Sequence, residues 1–266
     1  MTFRRTASPA SVLEVPATGA PAISFILVTF GTWPSVIDNC LRRLVASVAF
    51  GDVPAEFIVI DNFHPVVGNA CGHHLAMTTS GIRLAMLRRN LGFGGGNEVG
   101  IAAARAETIC LVNPDLLVHD GWLTPLLADL AEHPGDVIAP RLLDVHGELD
   151  EAGRLIGSDG NTSPAPEGVE VDYASAACWL MKASTHERVG GFDPRFHPAY
   201  YEDVDYSLRL RRLGNQIRVH PTVAVTHLRG GSIGSSRAIA DVSAQLTVFK
   251  DLWQSELWRQ PSLPAR

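Results

Sequence analysis

The sequence is short of several features that would assign it at once, and each shortage removes a class of protein. No long apolar run is present. Val15 to Ile37 carries no charge, but Pro16, Gly19, Pro21, Gly31 and Pro34 interrupt it, and the mainly apolar part is Ile23 to Val28, well below the roughly 20 residues a membrane span needs. No Cys-x-x-Cys pair occurs. Cys40, Cys71, Cys110 and Cys178 stand far apart and are expected as buried, reduced thiols of a cytoplasmic protein. No basic cluster occurs either: the net charge is -6 and the arginines are scattered, which argues against a nucleic-acid surface. The first 21 residues, rich in Ala, Pro, Ser and Thr, lack the apolar centre of a signal peptide and are expected as a flexible extension. With 46% hydrophobic and 19% charged residues, the chain has the composition of a globular enzyme.

What is present alternates between strand and helix. Ile23–Thr29 is an unbroken β-rich run, as expected of a strand covered on both faces. Pro34 then suits the first turn of a helix continuing to Val48, and Glu56–Asp61 is a second strand. Strand, helix, strand implies a right-handed crossover and a parallel sheet, whose ligands bind beyond the carboxyl ends of the strands. Asp61 lies there; it is either a ligand contact or a plain turn start. Residues 62–81 show no periodicity, and the His73-His74 pair within them receives no role. Ile82–Leu87 is a third strand, feeding the glycine-rich Arg88–Asn97 turn and a small-residue helix through Ala104. Gly-x-Gly-x-x-Gly fails there by one residue whether counted from Gly92 or from Gly94. Its glycines can still bring backbone amides near a ligand.

Thr108–Asp115 is the fourth strand and ends in Asn113-Pro114-Asp115. A carboxylate beside another oxygen-bearing side chain at a strand end can hold Mg²⁺ or Mn²⁺; the same tripeptide also starts turns. Trp122–Glu132 is expected as an amphipathic helix, Val137–Ala139 as a strand, 141–170 as hairpins or a loop over the site, and Ala174–Met181 as a strand or buried segment. Gly190–Gly214 then concentrates aromatics and turn formers around Glu202, Asp203 and Asp205 before an apolar stripe of Val204, Leu208 and Leu213. The acids start this helix and Arg209, Arg211 and Arg212 end it, which favours the helix dipole; a carboxylate there can also serve as a general base. Gln216–Val219 and Val223–Thr226 are expected as short strands, and Arg237–Trp258 as an amphipathic helix packed on the core.

Taken in order, Val59–Asn62, Asn90–Asn97, Leu111–Asp115, Val189–Asp193, Tyr201–Arg212, and His227 with Gly230–Ser232 make the chain resemble family 2 glycosyltransferases, in particular the rhamnosyltransferase-like branch, over residues 22 to 235. The resemblance implies an α/β GT-A fold, a mostly parallel Rossmann-like nucleotide-binding sheet fused to a smaller acceptor-binding half, followed by a helical tail over 236–266. It implies an inverting hexosyltransferase that moves a sugar from a nucleoside-diphosphate sugar, often dTDP-rhamnose in that branch, to a hydroxyl of a glycan, lipid-linked sugar or small natural product. Asp61 would contact nucleobase or ribose. Asp115, with His227, would hold Mg²⁺ or Mn²⁺. Asp203 would take the acceptor proton beside Glu202, with Asp205 structural or holding a nearby basic residue. Thr29, Asn90, Gly92, Phe93, Gly94, Asn97, Asn113, Trp179 and Tyr201 are the further substrate-binding candidates. The branch leaves room for a homodimer and for a place at the inner membrane face.

The chain departs from that pattern at Phe30-Gly31, where many relatives have Tyr-Asn, at Glu98 in place of a second asparagine, and at Asn113 in place of an acid. Three rivals remain. A NAD(P)-dependent oxidoreductase would need the glycine fingerprint that fails here. A sugar nucleotidyltransferase would need a basic glycine-rich loop after the first strand, where Phe30-Gly-Thr-Trp-Pro34 stands. A non-catalytic nucleotide-sugar-binding relative would be expected to lose Asp115 and Asp203.

Overall fold

The unbroken apolar run Ile23–Thr29 forms the strand from which the fold grows. In the computed structural model, which describes residues 2–7, 13–15, 19–231 and 238–257, the first elements are β1 (Arg4–Arg5), β2 (Leu13–Glu14), β3 (Ile23–Thr29), α1 (Pro34–Phe50), β4 (Ala55–Asp61), α2 (Ala70–Thr78), β5 (Thr79–Ser80) and β6 (Arg83–Met86). Next come α3 (Gly92–Ile101), β7 (Thr108–Val112), β8 (Leu116–Leu117), α4 (Leu123–Glu132) and β9 (Val137–Leu143). The second half adds β10 (Leu149–Glu151), β11 (Arg154–Ile156), β12 (Thr162–Pro164), β13 (Cys178–Lys182), α5 (Ala183–Val189), α6 (Glu202–Arg212), β14 (Ile217–His227) and α7 (Ala238–Leu257).

The main sheet runs β1-β6-β4-β3-β7-β13-β9-β14-β8, with β10 paired to β9. Strands β6, β4, β3 and β7 are parallel, β13 is antiparallel to both β7 and β9, and β14 is parallel to β9. Alternate residues of β3 serve opposite cores. Phe25 and Leu27 join α1 and α4, where Phe25 stacks on Phe57 at 5.2 Å between ring centroids; Ile26 joins Trp179, Phe192 and Tyr206 on the other face. A strand sealed on both faces needs no polar alternation, which is why its sequence shows none.

Several expectations are corrected. Residues 62–81 contain helix α2, whose buried Cys71 and Leu75 lie four apart; nine residues with a His pair in the middle give too little periodicity to see. His74 pairs with Asp38 of α1 at 2.9 Å. Within the expected N-terminal extension, Arg4–Arg5 pairs with β6 and Leu13–Glu14 with β5. The two expected strands after α6 are one, β14, with a register shift between Val219 and Ala224. The hairpins expected within 141–170 are there as β10 on β9 and the separate pair β11-β12. Helix α7 packs Phe249, Trp253 and Leu257 against Tyr201, Val204 and Leu208. Arg237, Trp258 and the side chain of Ile239 lie outside the described residues.

The largest correction concerns the glycine-rich stretch. It is a helix from Gly92 onward and ends at Ile101 rather than Ala104. Two of its glycines lie against the sheet: a Cβ at Gly96 would sit 2.6 Å from Val28 Cγ1, and one at Gly100 would sit 2.3 Å from Ile26 Cγ2. The missing side chains let α3 approach β3 closely, so this sequence bias reflects helix-to-sheet distance. Gly100→Ala is expected to cost about 1–3 kcal/mol through this overpacking. Urea unfolding would show it as a lower midpoint at unchanged slope, and a wild-type midpoint would contradict the close approach.

Candidate functional site

The carboxyl ends of β3, β4 and β7 meet at one edge of the sheet, and the candidate residues gather there. Thr29 and Asp61 are register partners at the ends of β3 and β4. Thr29 Oγ1 donates to Asp61 Oδ1 at 3.2 Å, and Gly72 N–H donates to Asp61 Oδ2 at 2.6 Å. Asp61 is only 1% exposed; burial raises its carboxyl above the ordinary value despite those two hydrogen bonds. Asn62 ties the next strand end to this one. Its Nδ2 donates to Asn90 Oδ1 and to Gly92 O, each at 2.9 Å, and its Oδ1 accepts from Leu91 N–H at 2.8 Å. Asn90 Oδ1 also accepts from Gly92 N–H at 2.7 Å, where the backbone is left-handed, φ +77°.

Inside α3, Asn97 Nδ2 donates to Phe93 O at 3.0 Å, and a Cβ at Gly94 would sit 2.8 Å from Phe192. Asn90, Gly92, Gly94 and Asn97 thus build a turn and a helix, and Phe93 is the member of the stretch that lines the main cleft. Glu98, which stands where relatives often have asparagine, accepts from Phe192 N–H at 2.7 Å and pairs with His186 at 3.0 Å. It ties α3 to the segment leading into α6.

Asn113, Asp115 and His227 share one wall of that cleft, a space of about 540 Å³. Chain folding joins them. Asn113 N–H donates to Ala177 O, Leu116 N–H returns to Asn113 O in a tight turn, and Leu228 N–H donates to Asp115 O at 3.0 Å. The β8-β14 pairing places His227 opposite Leu116, and His227 Nε2 comes 3.3 Å from Asp115 Oδ1. Burial works to raise the Asp115 carboxyl, but the hydrogen bond and charge of His227 outweigh it and hold the carboxyl below its ordinary value. The following strand end wraps closely: a Cβ at Gly231 would lie 2.8 Å from Asp115 Cβ.

These residues fit a divalent cation. The Asp115 carboxylate and His227 Nε2 stand 3.3 Å apart in a cleft that Asn113 also lines, and the buried His227 Nδ1 has no hydrogen-bond partner. Among the described residues no group of three His, Cys, Asp or Glu side chains surrounds a metal position. The protein therefore supplies two strong donors, leaving the other positions to a ligand's oxygens and water, as is usual for Mg²⁺ beside phosphate.

The facing wall is the start of α6. Tyr200 and Tyr201 are both left-handed, φ +79° and +67°, a conformation that is costly for aromatic residues and accumulates at functional sites. It is held in place by Tyr201 OH, which donates to Gly160 O at 3.1 Å, and by the packing of its ring on Phe249. The turn presents Asp203 to the cleft, where its Oδ1 accepts from Val204 N–H at 2.9 Å. Burial, with the charge of Glu151 next, pushes the Asp203 carboxyl up to about 6. Glu202 is 6% exposed with one oxygen unpartnered; burial and the neighbouring Asp203 charge push it well above the ordinary value.

Asp205 points away from this work. It is 2% exposed and accepts from Trp253 Nε1 of α7 and from Arg209 Nε, both at 2.9 Å. Trp179, expected to contact substrate, is 0% exposed and stacks between Phe192 and Tyr206; its place on β13 turns it into the core rather than the cleft. Four cleft residues did not stand out in the sequence: Glu151, Arg154, Tyr173 and Arg229. They come from hairpins and strand ends without periodicity, so only the folding of 149–173 over the cleft and the return of the chain after β14 reveal them. Trp253→Phe keeps the ring and removes the N–H that Asp205 accepts, with an expected loss of about 1–3 kcal/mol. Thermal unfolding at an unchanged midpoint would show that the α6–α7 contact does not depend on this bond.

Known proteins are similar to this chain in sequence and in fold. The pre-mycofactocin glycosyltransferase of Mycobacterium tuberculosis is 26% identical over 203 residues, which cover 70% of this chain and 39% of that relative; the chain thus spans less than half of that protein. The N-acetylglucosaminyl-diphospho-decaprenol L-rhamnosyltransferase of the same organism is 25% identical over 275 residues, covering 89% of this chain and 86% of the relative. In fold, the chain is similar to GalNAc-T7 solved with UDP, GalNAc and Mn²⁺, with a TM-score of 0.68 at 14% identity over 91% of this chain and 50% of that one. Residues 24–190, from β3 through the end of α5, match the model of glycosyl transferase family 2, and the chain belongs to that family.

Proposed function

We propose that the protein transfers a sugar from a nucleoside-diphosphate sugar to an acceptor hydroxyl with inversion at the anomeric carbon. One observation carries this reading: the Asp115–His227 pair and Asp203 line the same cleft of about 540 Å³. A single displacement needs positive charge at the leaving diphosphate and a base for the attacking hydroxyl on the opposite side. A bound Mg²⁺ or Mn²⁺ would supply the first by drawing charge from the diphosphate oxygens. Asp203 supplies the second. With its carboxyl near 6 it is ionised at neutral pH, yet basic enough to accept a proton as the hydroxyl attacks.

The bound UDP and Mn²⁺ of the GalNAc-T7 structure support a nucleotide-sugar donor and a metal. The L-rhamnosyltransferase relative, named for an N-acetylglucosaminyl-diphospho-decaprenol substrate, favours a rhamnosyl donor and a lipid-linked sugar as acceptor. Nothing favours the oxidoreductase reading, because Gly96 and Gly100 are pressed against β3. No helix among the described residues is long and apolar enough to cross a membrane.

The reading is tested by nucleoside-diphosphate release from a panel of sugar donors with Mn²⁺ or Mg²⁺ and a pool of hydroxyl acceptors; no release from any donor would refute it. Asp203→Asn is expected to lower kcat by a factor on the order of 10²–10⁴ with donor binding nearly unchanged. Asp115→Ala is expected to weaken metal-dependent nucleoside-diphosphate binding, seen as a smaller thermal shift. Wild-type turnover by Asp203→Asn would remove the base assignment.

Because the base must be deprotonated, the rate is expected to be half-maximal near pH 6 and to fall with decreasing pH as Asp203 protonates. In kcat/KM profiles, a flat acid side down to the ordinary carboxylate range would contradict this role.

A further inference from the structure

Arg154 is the feature of the cleft that the proposed transfer leaves unused. It lines the cleft beside Tyr173, Tyr201 and Asp203 and is held firmly. Its N–H donates to Tyr173 O at 2.8 Å and its carbonyl accepts from Asp172 N–H at 2.9 Å. Its Nε donates to Thr162 Oγ1 and its Nη2 to Thr162 O, both at 3.2 Å. Thr162 Oγ1 also accepts from Tyr173 OH at 3.0 Å, which leaves the Thr162 proton free to donate. Burial raises the Tyr173 hydroxyl, so Tyr173 remains protonated.

The guanidinium has neutral partners alone. Among the described residues no carboxylate lies within ion-pair distance of it: Asp203, in the same cleft, takes Val204 N–H through its Oδ1, and the other nearby acids hold groups elsewhere. Glu151 Oε1 accepts from Ser175 N–H at 2.7 Å. Asp172 takes Ile156 N–H at 2.7 Å and pairs with Arg211, and Asp159 takes Asn161 N–H and Nδ2. The other arginine of the cleft, Arg229, pairs with Asp150 at 2.6 Å. A half-buried guanidinium held in place with no counter-charge is costly unless an anion arrives. The anion is not required by the donor side. Arg154 is bonded to Thr162, which Tyr173 also holds, in a cleft lined by Tyr201 and Asp203, whereas Asp115 is paired with His227.

We propose that Arg154, with the Thr162 hydroxyl, is a binding site for an anionic group, phosphate or carboxylate, on the acceptor. The role as acceptor rests on the proposed glycosyl transfer; the anion binding does not. A guanidinium offers paired donors in a plane that matches the oxygens of either anion. The acceptor class is therefore a sugar phosphate, an acidic sugar or the phosphate end of a lipid-linked sugar, with the hydroxyl to be glycosylated directed toward Asp203.

The test uses the full chain, metal-free and without donor, so that phosphate cannot bind through a cation. Calorimetry compares N-acetylglucosamine 1-phosphate and glucuronic acid with neutral methyl N-acetylglucosaminide. Sedimentation compares phosphatidylcholine vesicles with and without farnesyl phosphate. One soluble charged probe is expected to bind at least about tenfold more tightly than the neutral glycoside, the scale of a charge-assisted hydrogen bond. Arg154→Gln should abolish that preference and Arg154→Lys should keep part of it, with thermal unfolding as the control for folding. Binding to the farnesyl phosphate vesicles alone, lost in Arg154→Gln, supports the site and names a lipid-linked source. Absence of any preference for charged probes, or its persistence in Arg154→Gln, overturns the proposal. If the preference is found but no donor releases nucleoside diphosphate, the anion site stands and the transfer reading fails.

Discussion

The return of β14 to the turn at Asn113–Asp115 is the interaction on which the site depends. Pairing of β14 with β8 and the bond from Leu228 N–H to Asp115 O bring His227 to Asp115. Without that return, the end of β7 would hold a single carboxylate beside an asparagine, a poor cation site. β14 is itself placed by its parallel pairing with β9, and β9 is joined to the parallel half of the sheet through β13. Sheet continuity thus fixes a pair of side chains that are remote in sequence.

Environment divides the acids of the cleft into different tasks. Asp115 stays ionised because His227 offsets its burial. Asp203 rises to about 6 through burial and the charge of Glu151, while burial and the charge of Asp203 raise Glu202. Asp205, two residues on, is taken by Arg209 and Trp253 and anchors α6 to α7. Four carboxyl groups of similar intrinsic acidity acquire separate roles through depth and neighbours, the pattern by which one site separates acid, base and ligand. The strained Tyr200–Tyr201 turn belongs to the same arrangement, since it sets which face of α6 the cleft meets.

Strong periodicity made much of the framework legible. Ile23–Thr29 and Glu56–Asp61 are strands as expected, the strand expected over Thr108–Asp115 ends at Val112 because Asn113–Asp115 forms a turn, and α1, α4 and α6 lie where their apolar spacing placed them. The order of motifs also pointed to the family before any geometry. Helix α2 was missed because nine residues with two central histidines carry little amphipathic signal. The glycines of α3 suggested a ligand turn because closeness to a phosphate and closeness to a sheet place the same demand on a side chain, namely its absence. Trp179 looked like a site residue for the opposite reason: a large aromatic in a small-residue segment suits either a pocket or a core, and its register on β13 put it in the core.

The sequence by itself determined the α/β class, the strand ends at Asp61 and Asp115, the helix that carries Asp203 and the family to which these belong, because local periodicity and motif spacing are properties of neighbouring residues. Tertiary structure alone decided that His227 meets Asp115, that Asp205 turns to α7 while Asp203 faces the cleft, and that Arg154 stands there without a counter-charge. These depend on distances between segments far apart in the chain and on the burial those distances create, and neither quantity is written in any local pattern.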